Sequence, residues 1–279
     1  MSGRRAALLL LVPAGLLLLL LFVAPQAAML AASFLRRSAY GGVERVLTLA
    51  NYARASEPLY LRIFARSFGL ATATTLLCLA AGWPVAYWIA LKAPARQRSA
   101  LLVLVMLPFW TSLLVRLYAW MFLLRGEGLV NRWLGLLGLP ALPLLYNDFA
   151  VLLGQLYGEL PFMILPLFAS LERLDRTLLE AAADLGAGPW RRLWRVTLPL
   201  ARPGIAAGCV LVFIPSLGAY LAPDLLGGAR TVYVGTLIQG QFALARDLPF
   251  GAALSFGLSL LVLGLVLLFR RPLGAARGA

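Results

Sequence analysis

The chain has 279 residues, of which 62% are hydrophobic and 13% charged, with a mean hydropathy of +0.87 and a formal net charge of +14. Soluble domains are about 45–50% apolar and about 25% charged. A chain this apolar could not hide its surface from water, which excludes a soluble enzyme, a nucleic-acid-binding module and a disordered polymer. What remains is an integral membrane protein, with basic residues that lie beside apolar runs and meet lipid headgroups rather than nucleic acid.

A spanning helix needs about 20 mainly apolar residues. Six stretches qualify, at about 6–30, 67–91, 99–124, 149–171, 204–226 and 249–269, so the expected fold is an all-α bundle of six transmembrane helices. The first stretch follows Arg4 and Arg5 and runs into small residues near Ala24-Pro25-Gln26-Ala27-Ala28, a pattern that also fits a cleaved signal peptide. Its length favours a retained helix; the other reading stays open. An even number of crossings puts both termini on one side, and the arginines and Lys92 of the alternating loops favour N-in, C-in. No tandem repeat and no Ser/Pro-rich linker divides the chain, so residues 1–279 read as one membrane domain. Pro84, Pro108, Pro161, Pro166 and Pro215 sit in or beside these stretches and predict kinks. Cys78 and Cys209 lie inside apolar runs, as packing residues without disulfide or metal spacing. Histidine is absent, which removes the usual general base and the commonest metal ligand.

The most polar stretch, residues 172–203, reads ERLDRTLLEAAADLGAGPWRRLWRVTLPLARP. Thr177 and Glu180 have the spacing of a capping box. This predicts a short helix over 178–185, with Gly186 as its left-handed stop. Gly188-Pro189 opens a second helix through Trp190 to Val196, which Pro199 is expected to end. The loop is therefore expected to be a cytoplasmic helix–turn–helix. On local grounds alone, capping would be a sufficient role for Glu180.

The spacing within that loop is more specific than a cap. Glu180-Ala181-Ala182, Gly186 and Val196-x-Leu198-Pro199 follow the pattern E-A-A-x3-G-x9-I-x-L-P, with Val196 at the usual Ile. This resembles the EAA loop of binding-protein-dependent ABC importer permeases. Leu107-Pro108-Phe109-Trp110-Thr111-Ser112, Val115-Arg116-x-Tyr118-Ala119-Trp120, Phe213-Ile214-Pro215-Ser216-Leu217-Gly218, Pro223-Asp224-Leu225-Leu226-Gly227-Gly228 and Gly251-Ala252-Ala253-Leu254-Ser255 are similar to the polyamine (spermidine/putrescine) permeases of that family, and most similar to the first of their two permeases.

The resemblance, which runs from about Leu59 to the end, implies a type I ABC importer transmembrane domain in a bacterial inner (cytoplasmic) membrane. It implies a partner ABC ATPase dimer that binds the ATP and docks on Glu180, Ala181, Ala182, Gly186, Leu198 and Pro199. It also implies a second homologous permease and a periplasmic or extracellular solute-binding protein, with no cofactor, catalytic residue or metal site in this chain. The only lysine, Lys92, has no phosphate-binding loop around it, in agreement with an ATPase supplied separately.

A solute path is marked by ionisable groups where lipid would reject them. Glu159 lies mid-way along the fourth stretch, at helical spacing from Gln155 and Phe162. Asp224 lies near the end of the fifth, with Leu217 and Tyr220 expected on the same face, and Arg116 lies in the third. A flexible polycation is held by carboxylates and aromatic faces, so Glu159, Asp224, Trp110, Tyr118 and Tyr220 are the candidate path residues. Plainer roles compete: Trp110 as an interfacial belt residue, Asp224 as a helix cap, and Arg116 as a structural partner of Glu159 or a contact to the second permease. The expected function is transport of polyamines by alternating access. Another small cation, an organic solute or sulfate is the alternative cargo. An intramembrane enzyme is disfavoured by the shortage of acid–base groups, and a channel or secondary transporter would not need the loop.

Overall fold

The computed structural model describes residues 12–13, 15–38, 42–229 and 231–274, with side chains as far as 267. Residues 6–11 of the first expected span, with Arg4 and Arg5 before them, lie outside the described residues. The chain divides into two compact units, residues 1–62 with 237–264 and residues 63–236 with 265–279.

The first unit starts with the apolar helix α1, Gly15–Ser33. A short antiparallel hairpin follows, β1 (Leu35–Arg37) and β2 (Val43–Leu47), with Arg36 opposite Glu44 and Arg37 opposite Val43. This strand pair departs from the expected all-α bundle. Val43-Glu44-Arg45-Val46-Leu47 mixes β-branched and charged residues and is too polar to count as a span, so a search for apolar runs passes over it. Helix α2 (Ala50–Ala55) brings Arg54 to Asp247, at 3.0 Å, while the Asp247 carboxylate also accepts from the Phe250 N–H. The Arg54 guanidinium lies 3.9 Å from the Phe250 ring centroid, and Arg37 donates to the Ala245 carbonyl at 2.7 Å. The buried Asp247 therefore gathers the hairpin, α2 and the turn before the last helix around one carboxylate.

The second unit contains most of the apolar helices. Helix α3 runs Pro58–Lys92, begins before the expected span and closes in a π-turn over Trp88–Lys92. Helix α4, Ala95–Trp110, ends in a 3-10 turn at Leu107–Trp110, and α5, Leu113–Leu124, leaves at an 85° bend. The third expected span is thus broken rather than straight. Pro108 donates no backbone N–H, and the Thr111 hydroxyl takes up the Pro108 carbonyl at 2.8 Å while Thr111 and Ser112 are extended. After α6 (Leu129–Leu136), α7 (Asp148–Glu172) runs 25 residues through Pro161 and Pro166, with Asn147 as its N-cap. At its first turn, Asp148 accepts from Arg66 at 2.6 Å and from the Tyr233 hydroxyl at 2.6 Å. Burial first, and then the hydrogen bond to Asp148, push the Tyr233 phenol above its ordinary range.

The loop 172–203 contains α8 (Arg176–Asp184) and α9 (Pro189–Leu200). Helix α10 (Arg202–Gly218) then packs along α7. Gly204 and Gly208 make this close approach possible. A Cβ on Gly204 would stand 2.6 Å from the Pro166 carbonyl oxygen, and one on Gly208 would stand 2.6 Å from the Met163 sulfur. Cys78, Ile89, Met163, Leu167 and Val212 form the buried cluster around this contact, against which Cys209 packs. The chain goes on through α11 (Leu221–Leu226), α12 (Val234–Ala243) and α13 (Leu248–Gly274), of which residues 237–264 belong to the first unit. The fifth expected span therefore stops at Gly218, eight residues early. Pro215 weakens the last turn, Ala219 is extended, and the bare backbone of Gly235 fills the break: a Cβ there would lie 2.3 Å from the Ala219 oxygen.

Among the described residues, four helices are long and apolar enough to cross a membrane: α1, α3, α7 and α13 up to Leu267. Two further crossings are obtained if the bent pairs, α4 with the helices after it and α9 with α10, each count as one.

Candidate solute path and coupling loop

Helix α7 places Gln155, Glu159 and Phe162 on one face, as the 3-to-4-residue spacing requires. Gln155 is buried, accepts from the Thr74 hydroxyl of α3 at 3.0 Å and donates to the Ser216 carbonyl of α10. One turn on, Glu159 accepts from the Ser216 hydroxyl at 2.5 Å. The carboxylate thus stands in the middle of an apolar helix, held from its neighbour, on the wall of a cavity of about 310 Å³. Phe109, Arg116, Phe162 and Tyr220 line the same cavity. Phe109 and Phe162 meet edge to face at 4.8 Å, and Gly154 and Gly158 on α7 leave their side of the wall low.

Of the five candidate path residues, the structure brings Glu159 and Tyr220 to this cavity. Trp110, 77% exposed, points out of the unit from the 3-10 turn, and Tyr118 is exposed on α5. Asp224 is exposed in the first turn of α11 and does not share a helix with Leu217, because α10 has already ended. Arg116 is not paired with Glu159: it makes no ion pair among the described residues, its Nε is buried without a hydrogen-bond partner, and its guanidinium lies 5.9 Å from the ring centroids of both Phe109 and Tyr157. The residues that sequence reasoning missed are Ser216 and Thr74. Ser216 is a lone hydroxyl in an apolar run. Thr74 is one of three threonines at 72, 74 and 75, of which Thr72 and Thr75 satisfy themselves on their own helix, as such hydroxyls usually do. Only the packing reveals that Ser216 and Thr74 reach α7.

In the loop, the Asp175 carboxylate accepts from the Thr177 N–H, which makes Asp175 the N-cap of α8. This corrects the expected Thr177–Glu180 box. The helix begins at Arg176, Thr177 is already inside it, and Glu180 stays exposed and free of capping duty. Gly186 ends the helix as expected, at φ +75°, with Gly186 N–H to Ala183 and Ala187 N–H to Ala182 closing the turn at 2.9 Å each. Glu180, Ala181 and Gly186 are exposed and Ala182 is half-buried. Leu198 and Pro199 are half-buried in α9, which continues through Pro199 to Leu200 instead of stopping there. A π-turn over Leu193–Thr197 shifts the hydrogen-bonding partners, so Pro199 enters the next turn where its missing N–H is not needed. A second cavity, of about 610 Å³, opens at the root of the loop between Pro166, Ser170 and Gly204, with Arg173 and Asp175 on its wall.

Long apolar helices, a largely apolar mid-helix cavity with Glu159 and Arg116 on its wall, and an exposed loop capped at Asp175 and Gly186 define a membrane transport subunit. The family of binding-protein-dependent transport system inner membrane components matches residues 82–271, more than half of the chain, and the chain belongs to that family. It is 42% identical over 247 residues to the spermidine/putrescine transport system permease protein PotB of Salmonella typhimurium (strain SL1344), covering 88% of this chain and 85% of that protein. A bacterial ABC transporter involved in the import of the acidic polysaccharide alginate has the same fold, with a TM-score of 0.80 over 96% of this chain and 95% of that one, at 19% identity. The alginate transporter in complex with an alginate pentasaccharide-bound periplasmic protein superposes with a TM-score of 0.77, covering 95% and 93% at 19% identity. The fold is that of a type I ABC importer permease, and the protein is a permease of the inner membrane.

Proposed function

We propose that this permease carries polyamines into the cell by alternating access. One observation bears most of the weight: the Glu159 carboxylate, oriented by Ser216, faces a mid-helix cavity walled by Phe109, Phe162 and Tyr220. A carboxylate among ring faces is what an alkylammonium group needs on leaving water. The 42% identity to a protein named for spermidine and putrescine supports the same cargo.

Six crossings with both termini inside, in one domain over residues 1–279, would place loop 172–203 in the cytoplasm. An ATPase dimer binds and hydrolyses the ATP and receives Glu180, Ala181, Ala182 and Gly186 in a groove, with Leu198 and Pro199 holding the base of the helix pair. Exposed alanines permit close approach, and the closed turn at Gly186 transmits displacement without bending. A second homologous permease completes the path, and a soluble binding protein delivers the cargo from outside. Trp110, Tyr118 and Asp224, which point out of the unit, would meet cargo only on a wall shared with that second permease.

Arg116 favours a second reading, in which the cargo is an anion such as sulfate. Labelled spermidine and labelled sulfate, offered to vesicles containing the full importer and ATP, separate the two. Spermidine uptake that is ATP-dependent and lost in Glu159→Gln carries the polyamine reading. Sulfate uptake lost in Arg116→Gln overturns it.

A further inference from the structure

Arg116 is an uncommon object: a guanidinium in an apolar helix, on the wall of the cavity that holds Glu159, with no carboxylate among the described residues within ion-pair distance. Its two ring neighbours, Phe109 and Tyr157, both at 5.9 Å, offset part of the charge without neutralising it, and its buried Nε has no acceptor. Charged groups at such depth cost several kcal/mol and persist where they act on cargo or on a partner. Phe109 and Arg116 share the cavity wall with Glu159, so any cation seated at the carboxylate also lies in the field of the guanidinium.

We propose that Arg116 is a specificity-determining residue that selects cargo by charge number, through repulsion. This rests on the polyamine reading above and deepens it. One ammonium group engages Glu159 while the methylene stem lies along Phe109 and Phe162. Each additional ammonium on the same molecule must then be accommodated near a fixed positive charge on a largely apolar wall. The penalty grows with the number of charges on the cargo, so short, weakly charged amines pass more readily than long ones. Specificity of this kind is built from an unfavourable contact with the wrong ligand and needs no extra contact with the right one. A role in structure alone would not depend on the charge of the cargo.

The test uses the complete importer, with ATPase, second permease and binding protein, in vesicles. Maximal uptake rates and cargo-stimulated ATP hydrolysis are measured at saturating putrescine, spermidine and spermine. Arg116→Gln is expected to raise the spermine-to-putrescine rate ratio by at least about tenfold, since spermine has two ammonium groups more than putrescine and a single like-charge interaction across a site of intermediate dielectric is worth about that factor, while KM, set by the binding protein, stays in place. Arg116→Lys should keep the wild-type ratio. Leu113→Glu, one helical turn away on the same wall, should raise the ratio with Arg116 still in place, which covers the case in which Arg116→Gln does not insert. An unchanged ratio in Leu113→Glu, or in Arg116→Gln present at normal abundance, overturns the proposal, as does an equal loss for all three amines. A wild-type importer that moves none of the three shows instead that the polyamine reading has failed.

Discussion

The hydroxyl of Ser216 on α10 donates to the carboxylate of Glu159 on α7 at 2.5 Å, and Gln155, one turn earlier on α7, donates to the carbonyl of the same serine. Ser216 thus joins two helices twice, and the direction in which Glu159 faces depends on the packing of α10 against α7. That packing in turn depends on Gly204 and Gly208, so the path and the helix contact belong to one mechanical unit.

Glu159→Gln should lower polyamine uptake by about tenfold to a hundredfold, the range expected when a charged hydrogen-bonding partner is lost. Protein abundance in the membrane should not change. Ser216→Ala should give a smaller loss, because the carboxylate remains and only its orientation is released. Uptake kinetics normalised to immunoblot abundance check both, and wild-type kinetics in Glu159→Gln would remove this residue from the path.

Gly204→Ala should destabilise the helix pair by about 1–3 kcal/mol, since the new methyl group meets the Pro166 carbonyl and the Ser170 Cβ, neither of which can swing away. Gly208→Ala should cost less, because the atom in its way is the sulfur of Met163, part of a flexible side chain. Thermal unfolding of the two variants in detergent gives the order directly.

Glu180→Ala combined with Gly186→Asp should leave membrane insertion normal and abolish both ATPase co-purification and uptake. An aspartate at φ +75° strains the turn by about 1–2 kcal/mol and adds charge where close approach is needed. Uptake that survives the double change would mean that the stroke enters elsewhere.

In a Cys78→Ala/Cys209→Ala background, single cysteines at Glu44 and Asp184 probe the crossings. Six crossings with the N-terminus inside place the hairpin outside and the loop inside. A membrane-impermeant thiol reagent on intact cells should therefore label Glu44→Cys and spare Asp184→Cys, with the reverse in inverted vesicles. Labelling of both from one side would refute that topology.

Much was legible in the chain itself. The membrane class follows from composition, and the long helices α3, α7 and α13 follow from long, mainly apolar runs. Gly186 was readable as a helix stop because a left-handed turn is a local demand that glycine meets. Local reading erred where two neighbouring residues compete for one role, as Asp175 and Thr177 do for the cap. It erred again where a helix is interrupted and a distant segment meets the break: α10 stops at Gly218, Gly235 fits against Ala219, and Asp224 lies exposed on a separate helix and not among the residues that line the Glu159 cavity. The meeting of Thr74, Gln155, Glu159 and Ser216 exists only after three helices pack. Backbone periodicity is set by neighbours three and four residues away, whereas a buried polar network is set by which distant faces come together.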